Sequence, residues 1–194
     1  MLDIALAAIG ILLLSPVFII VALAIVATNR GSILLLQQRI GLNGTPFGMM
    51  KFRTMRVLPP QHRITERATD LATKGILFKI ERDPRVTPVG RFIRRFSLDE
   101  LPQLINVLRG DMSLVGPRPL LPFMVEPYPI ENAERAKVLP GLTGLWQISA
   151  RGQSSSLEQM IEFDLAYSTN VSFSNDLRII VATLPLVLRG VGVK

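Results

Sequence analysis

An apolar run near the N-terminus is the feature that most constrains the fold of this 194-residue chain. From Ile4 to Ala27 the chain carries no charged residue, and a helix of that length can cross the hydrocarbon core of a bilayer. The run does not have the pattern of a cleaved signal peptide, because no basic residue precedes it and it is longer than the apolar core of such a peptide. We therefore predict a membrane-embedded segment at residues 1–30 and a separate domain at residues 31–194.

The apolar run is interrupted near its middle by Ser15 and Pro16. Pro16 cannot donate a hydrogen bond to the carbonyl of Leu12, which predicts a kink or a break in the helix. Ser15 can bond back to the carbonyl of Ile11 and so satisfy a polar group inside lipid. Two geometries follow, a kinked spanning helix or a helix-break-helix that returns to the same face. The residues alone slightly favour the span.

Composition narrows the class of partner. Hydrophobic residues make up 48% of the chain, yet its net charge is +7, which is typical of proteins that meet an anionic membrane surface or a phosphate-rich ligand. Nucleic acid is disfavoured, because aromatics are only 6% and do not form a row among basic residues that could stack bases. With no cysteine and one histidine, His62, thiolate metal sites and multi-histidine zinc sites are excluded.

A β-hairpin is predicted after the apolar run. Strands at residues 33–40 and 47–55 flank the turn sequence Gly-Leu-Asn-Gly-Thr, in which Asn-Gly is a strong turn signal. Alternation along the second strand puts Lys51 and Arg53 on one face, where they could hold a diphosphate or simply be solvated. The positive-inside rule places the first cations after the apolar run on the cytoplasmic side: Arg30, Arg39, Lys51 and Arg53.

Two adjacent carboxylates, Asp99 and Glu100, follow Arg94 and Arg95. Ser97 with Glu100 has the form of a capping box, and the apolar spacing beyond it predicts a helix that ends at Gly110. Asp99 and Glu100 would then lie in its first turn, where the helix dipole favours their ionised forms. Such carboxylates can bind Mg²⁺ or attack an electrophilic phosphorus. Ordinary capping explains the same residues without chemistry.

Further helices and one stiff loop complete the predicted fold, which is mainly α with a small β-hairpin (α+β). Thr87 and Pro88 predict the start of a basic amphipathic helix, which either lies at the membrane surface or packs on a core. Helices are also predicted from Ser155 to Tyr167 and from Asp176 to Arg189, the latter packing on the domain or lying on the membrane. The prolines on either side of Arg118 restrict its backbone, so that its guanidinium could bind a phosphate in a fixed position.

Taken in order, these pieces resemble the bacterial sugar transferase family, the monotopic phosphoglycosyl transferases. The resemblance covers nearly the whole chain and rests on five stretches. They are the apolar segment with Ser15-Pro16, Lys51-Phe52-Arg53-Thr54-Met55, residues 97–108, residues 110–119, and Pro140-Gly141-Leu142-Thr143-Gly144. Two features depart from the family: no basic residue precedes the apolar segment, and Trp146 follows Leu145 where relatives often have Trp-Ala.

The resemblance implies an undecaprenyl-phosphate phosphoglycosyl transferase. Such an enzyme moves a phosphosugar from a UDP-sugar to polyprenyl phosphate in the bacterial inner membrane, releases UMP, and initiates surface glycan synthesis. Asp99 would be the nucleophile that forms a phosphosugar–aspartate intermediate, and Glu100 would hold Mg²⁺. Arg94 and Arg118 match phosphate-holding positions, while Lys51 and Arg53 match the basic strand motif with a less defined role.

The family also implies a re-entrant segment broken at Ser15-Pro16, with both ends cytoplasmic, and this replaces the span favoured by the residues alone. The catalytic domain would then sit on the cytoplasmic face, with amphipathic helices at the interface. Whether the protein forms a homo-oligomer stays open. The alternative function is a membrane-surface adaptor that binds anionic lipid through its arginines without catalysis.

Overall fold

A computed structural model describes residues 2–28, 31–56, 83, 85–149 and 156–190. Within these ranges the chain is mostly helical with two small sheets, in agreement with the predicted α+β class. The helices are α1 (Leu2–Thr28), α2 (Pro88–Arg95), α3 (Gln103–Arg109), α4 (Pro122–Val125), α5 (Pro129–Arg135), α6 (Leu145–Ser149), α7 (Leu157–Ser168) and α8 (Phe173–Leu188). The strands are β1 (Leu34–Ile40), β2 (Pro46–Phe52), β3 (Ser113–Val115) and β4 (Gly141–Thr143). A helix expected within residues 65–74, and His62, lie outside the described residues.

Helix α1 continues through Ser15 and Pro16 without interruption. The Ser15 hydroxyl donates to the carbonyl of Leu12 at 2.8 Å, so the expected bond to Ile11 is wrong by one residue. The reason is that Leu12 carries the carbonyl to which Pro16 cannot donate. By satisfying that carbonyl, Ser15 removes much of the cost of the proline, and the helix need not break.

Both halves of α1 pack on the rest of the chain. Ala7 is fully buried in a cluster with Met49 and Leu104, and Ile25 is buried in another cluster with Phe52. Much of the remaining helix surface is exposed and apolar. Among the described residues, α1 is the one helix long and apolar enough to cross a membrane by length and composition.

The hairpin forms as predicted. Strands β1 and β2 pair antiparallel, with Leu35 opposite Lys51 and Arg39 opposite Phe47. The connecting turn contains Asn43 at φ 53° and Gly44 at φ 75°, the left-handed conformations that Asn-Gly supplies at low cost. Strand β2 ends at Phe52, three residues before the predicted end at Met55.

Helix α2 begins as the capping residues predict. The Thr87 hydroxyl accepts a hydrogen bond from the backbone N–H of Gly90 at 2.9 Å, and Pro88 is the first helical residue. Gly90 lies against the Thr54 backbone so closely that an added Cβ would meet the Thr54 carbonyl oxygen at 2.1 Å. Ile93 is buried while Phe92 is 59% exposed, so the predicted apolar face of α2 is only partly covered.

The acidic pair does not open a continuous helix, which corrects the sequence-based prediction. Leu98–Glu100 forms a separate 3-10 turn preceded by Ser97 at φ 55°, and Ser97 makes no side-chain capping bond. The following helix, α3, begins at Gln103 and ends at Gly110 in a left-handed conformation, as predicted. Pro102 causes the separation, because it lacks the N–H that a continuous helix would direct to the carbonyl of Leu98.

The C-terminal half of the fold surrounds a short parallel pair of strands. Strand β3 pairs with β4 through Ser113 opposite Gly141, and helices α4, α6 and α7 share one hydrophobic cluster beside it. Helix α7 is capped by Ser156 rather than Ser155. Helix α8 begins three residues earlier than predicted, capped by Ser172.

The close approach of α2 to β2 predicts that Gly90→Ala destabilises the protein by about 2 kcal/mol, because the new methyl group must displace backbone rather than a flexible side chain. Urea or thermal unfolding in detergent measures this. Gly10→Ala is the control: its Cβ would lie 3.6 Å from Leu104, an ordinary contact, and Ala in a helix gains about 0.5–1 kcal/mol. Equal stability of the two variants would contradict the packing.

Candidate active site

The Glu100 carboxylate is the centre of a cluster of charged side chains. Its Oε1 atom lies 3.1 Å from Nζ of Lys51 and 3.8 Å from a terminal nitrogen of the Arg118 guanidinium. All three side chains are mostly buried, with 14% of Lys51, 19% of Glu100 and 23% of Arg118 exposed. Strand β2, the 3-10 turn and the segment after β3 thus meet at one carboxylate, although they are far apart in sequence.

Burial acts on the charge of Lys51. It lowers the pKa of the Lys51 ammonium, while Glu100 and, more weakly, Asp99 oppose this by favouring the charged form. A cation removed from water in this way is held by its carboxylate partners and keeps a strong field for an incoming anion.

Asp99 is a carboxyl whose pKa is strongly perturbed at the site. Burial, followed by the neighbouring charge of Glu100, raises the pKa of Asp99 to about 6, while Lys51 and Arg94 act in the opposite direction. A carboxylate with a raised pKa is a stronger base, and therefore a stronger nucleophile, than an exposed one, yet it is still mostly ionised at neutral pH. These properties suit a nucleophile.

Arg94 approaches Asp99 from the last turn of α2. Its Nε donates to the Thr54 hydroxyl at 2.8 Å, and Thr54 is itself buried. Burial lowers the pKa of the Arg94 guanidinium, and the charge of Asp99 raises it. Thr54 therefore holds Arg94 from the end of the hairpin while Asp99 attracts it electrostatically.

Arg39 belongs to this cluster and was missed as a site residue, because the sequence analysis placed it only on the cytoplasmic side. Burial, followed by the charge of Arg118, lowers the pKa of Arg39 to about 9, and Glu100 opposes this. Its guanidinium donates to the carbonyl of Pro119 at 3.0 Å and to the side chain of Gln37 at 2.7 Å. The hairpin register could have found it, since Arg39 and Lys51 share a face of the sheet.

Arg53 is not brought into the cluster. Its guanidinium donates to the hydroxyl and carbonyl of Ser32. The predicted alternation fails here because β2 ends at Phe52. Ser15 and Pro16 are in α1, where the Ser15 hydroxyl bonds within the helix.

Asn106 fastens the hairpin to α3 and was also missed. Its side-chain oxygen accepts from the backbone N–H of Met50 at 2.9 Å, and its amide nitrogen donates to the carbonyl of Gly48 at 2.9 Å. The side chain is fully buried and pairs with the outer edge of β2 as a third strand would. It thereby keeps Lys51 beside the turn that carries Glu100.

The donor set at the site is compatible with Mg²⁺. The described residues contain no group of three or more acidic, histidine or cysteine side chains able to hold a metal by themselves. Mg²⁺, however, is commonly bound by one or two carboxylates together with substrate phosphates and water. The adjacent carboxylates of Asp99 and Glu100 match that mode of binding.

Comparison with known proteins gives the family. The family model described as bacterial sugar transferase matches residues 1–190. The chain belongs to this family. The resemblance derived from the sequence motifs is therefore confirmed.

Several characterised members are similar over almost the whole of this chain. Galactosyl transferase CpsE of Streptococcus agalactiae serotype III (strain NEM316) is 42% identical over 196 residues, which cover 100% of this chain and 42% of that protein. Exopolysaccharide production protein ExoY of Rhizobium meliloti (strain 1021) is 41% identical, covering 95% of this chain and 83% of ExoY. UDP-glucose:undecaprenyl-phosphate glucose-1-phosphate transferase of Escherichia coli (strain K12) is 43% identical, and the match covers 94% of this chain and 38% of that protein. The chain thus spans less than half of the first and third relatives.

The raised pKa of Asp99 predicts that Asp99→Asn stabilises the protein at neutral pH. The folded state holds the Asp99 proton more tightly than the unfolded chain, so stability falls as the pH rises from about 4 to about 6. From the shift to about 6, the deficit at pH 7.5 is on the order of 1–3 kcal/mol.

Urea unfolding without divalent cations, at pH 7.5 and at pH 4, measures the effect. Asp99→Asn should be more stable than the wild type at pH 7.5 and close to it at pH 4. Glu134→Gln is the control, because Glu134 is 55% exposed beside Lys137, and this variant should be about as stable as the wild type. An Asp99→Asn variant that is less stable than the wild type at pH 7.5 would contradict the assignment.

Proposed function

We propose that the protein transfers a phosphosugar from a UDP-sugar to undecaprenyl phosphate, with release of UMP. The observation that carries the proposal is the partly buried Asp99 with its raised pKa, beside the Lys51–Glu100–Arg118 cluster. This site lies in a member of a family that includes a UDP-glucose:undecaprenyl-phosphate glucose-1-phosphate transferase. The product would initiate synthesis of a surface glycan.

The reaction proceeds by two displacements at one phosphorus atom. In the first, a carboxylate oxygen of Asp99 bonds to the sugar-linked phosphorus, and the bond from that phosphorus to the bridging oxygen breaks, so that UMP leaves with the electron pair. In the second, a phosphate oxygen of undecaprenyl phosphate attacks the same phosphorus and Asp99 leaves as a carboxylate. The product is a sugar linked to the lipid through a diphosphate.

The charge balance of the site favours phosphate. Four cations, Arg39, Lys51, Arg94 and Arg118, surround two carboxylates. The excess positive charge offsets the repulsion between Asp99 and the diphosphate of the donor. Lys51 and Arg118 lie beside Glu100. Arg94, in the last turn of α2, interacts with the charge of Asp99.

Glu100 would hold Mg²⁺, with Asp99 as the neighbouring carboxylate. The ion, when bound, neutralises charge that develops on the phosphate oxygens. In its absence Glu100 is held by Lys51 and Arg118, so this carboxylate is oriented by the chain's own residues.

The surface of the protein supports a position at the membrane. Helix α8 exposes five apolar side chains at helical spacing, so they form a single stripe: Phe173, Leu177, Val181, Leu184 and Leu188. A stripe of this kind suits burial at the headgroup level of an inner-membrane leaflet. The acceptor phosphate lies in the same plane.

The re-entrant arrangement of α1 is part of the proposal. The support is that both halves of α1 pack on the same domain, with the Asp3 carboxylate accepting from the Ser113 hydroxyl at 2.6 Å near one end and Ile25 buried near the other. A domain on the cytoplasmic face cannot remain in contact with both ends of a helix that crosses a core of about 30 Å. The segment would therefore enter and leave through one leaflet by bending at Pro16 while remaining helical, and the catalytic domain would be cytoplasmic.

A coupled assay tests the chemistry. Incubation with a panel of UDP-sugars, undecaprenyl phosphate and Mg²⁺ should release UMP with at least one donor. Asp99→Asn should reduce the rate by at least about 10⁴-fold, since nucleophile loss removes the covalent route, and removal of Mg²⁺ with EDTA should abolish release. The control Glu134→Gln should retain full activity. Normal turnover by Asp99→Asn would refute the assigned nucleophile.

Lipid binding tests the membrane surface and the adaptor alternative together. Leu177→Glu with Leu184→Glu should weaken binding to anionic vesicles by about 10-fold or more, because each charge must be desolvated. Ile130→Glu, at a residue on α5 that is 75% exposed outside the stripe, is the matched control. An adaptor predicts binding that falls steeply with salt, with no UMP release and no sensitivity to Asp99.

A further inference from the structure

The backbone that carries Arg118 is held at three successive carbonyls. The carbonyl of Arg118 accepts from the Arg135 guanidinium at 2.6 Å, and that of Pro119 accepts from Arg39 at 3.0 Å. The carbonyl of Leu120 accepts from the backbone N–H of Ile40 at 2.9 Å. Pro117 and Pro119 further restrict the chain on either side of Arg118.

Arg135 is in turn held by a buried partner. Its guanidinium pairs with the Asp164 carboxylate of α7, and the two side chains are only 6% and 1% exposed. The charge of Arg118 and its backbone N–H also favour the ionised form of Asp164, although burial prevails and raises the pKa of Asp164. The Arg135–Asp164 pair thus contacts the Arg118 segment through the Arg135 guanidinium, and Asp164 holds that guanidinium.

A buried ion pair is costly, and replacing one by apolar residues of similar size is often neutral or stabilising. A contribution to the stability of the fold is therefore a weak explanation for the presence of the Arg135–Asp164 pair. The geometry of the pair offers a different role, because one terminal nitrogen of the Arg135 guanidinium donates both to Asp164 and to the carbonyl of Arg118. The Arg118 guanidinium then lies 3.8 Å from Glu100 and over the ring of Trp146 at 5.6 Å.

We propose that Arg135, anchored by Asp164, is a positioning residue that sets where the Arg118 guanidinium lies at the phosphate site. Neither Arg135 nor Asp164 is assigned contact with substrate. The inference rests on the proposed transfer reaction for its effect on rate, but its structural content is independent of that reaction.

The decisive variant is Arg135→Met with Asp164→Leu, which removes both charges together. If the pair positions Arg118, the folded variant should lose about 10- to 100-fold in kcat/KM for UMP release, as a small misplacement of a charged group can cost. If the pair serves stability alone, the folded variant should keep wild-type activity. Should the double variant fail to fold, Arg135→Lys decides, because it retains a cation near Asp164 while its shorter side chain displaces the donor that holds the carbonyl of Arg118.

Trp146 provides a measurement that needs no activity. It is the only tryptophan in the chain, and its ring lies under Arg118. Arg118→Ala defines the change in fluorescence when the cation is removed. The Arg135 variants should move the emission toward that value while far-ultraviolet circular dichroism stays unchanged.

Lys137→Gln is the matched control, since Lys137 follows Arg135 by two residues and forms an exposed pair with Glu134. It should alter neither emission nor rate. Unchanged Trp146 emission in a folded Arg135 variant would overturn the inference, whatever its rate. If the wild type releases no UMP from any UDP-sugar, the proposed function fails, while the fluorescence comparison still decides the role of Arg135.

Discussion

The Glu100 carboxylate lies between two cations from distant parts of the chain, Lys51 of β2 and Arg118 after β3. Charges so far from bulk water persist only when opposite charges and hydrogen bonds compensate them. The surrounding fold supplies that compensation. Asn106 fastens β2 to α3, and Thr54 holds Arg94. The architecture can therefore be understood as a frame that keeps these groups in place despite their mutual repulsion.

This frame explains why the site is built from short elements. The acidic pair occupies a 3-10 turn bounded by Ser97 in a left-handed conformation and by Pro102 before α3. A continuous helix would fix the direction of both carboxylates by its own geometry. The turn instead lets Asp99 lie in a buried environment where its pKa is about 6, while Glu100 faces Lys51 and Arg118. The cost is local strain at a non-glycine residue with positive φ.

Local signals in the sequence predicted much of the fold. Thr87 and Pro88 marked the start of α2, Gly110 marked the end of α3, and Asn-Gly marked the hairpin turn, because each acts through backbone preferences of its own. The predictions that were wrong concern residues whose positions depend on contacts with elements distant in sequence. Arg53 does not lie on the predicted face of the hairpin, because β2 ends at Phe52. The predicted capping box at Ser97 does not form, because Pro102 separates the 3-10 turn from α3. Arg39 and Asn106 became visible only when the hairpin register and the packing of α3 were known.

The three hydrogen-bonded carbonyls of residues 118–120 have a consequence for how the two substrates of the proposed transfer would share one phosphate-binding site. The donors to these carbonyls come from β1 on one side and from α5 on the other, so the hairpin and the helical half are cross-linked through the wall that bears Arg118. Opening and closing of these two halves against each other would break these hydrogen bonds on both sides. In the proposed reaction, exchange of the departing nucleotide for the incoming lipid is therefore expected to occur at a site whose walls stay in place, without a hinge motion of the two halves.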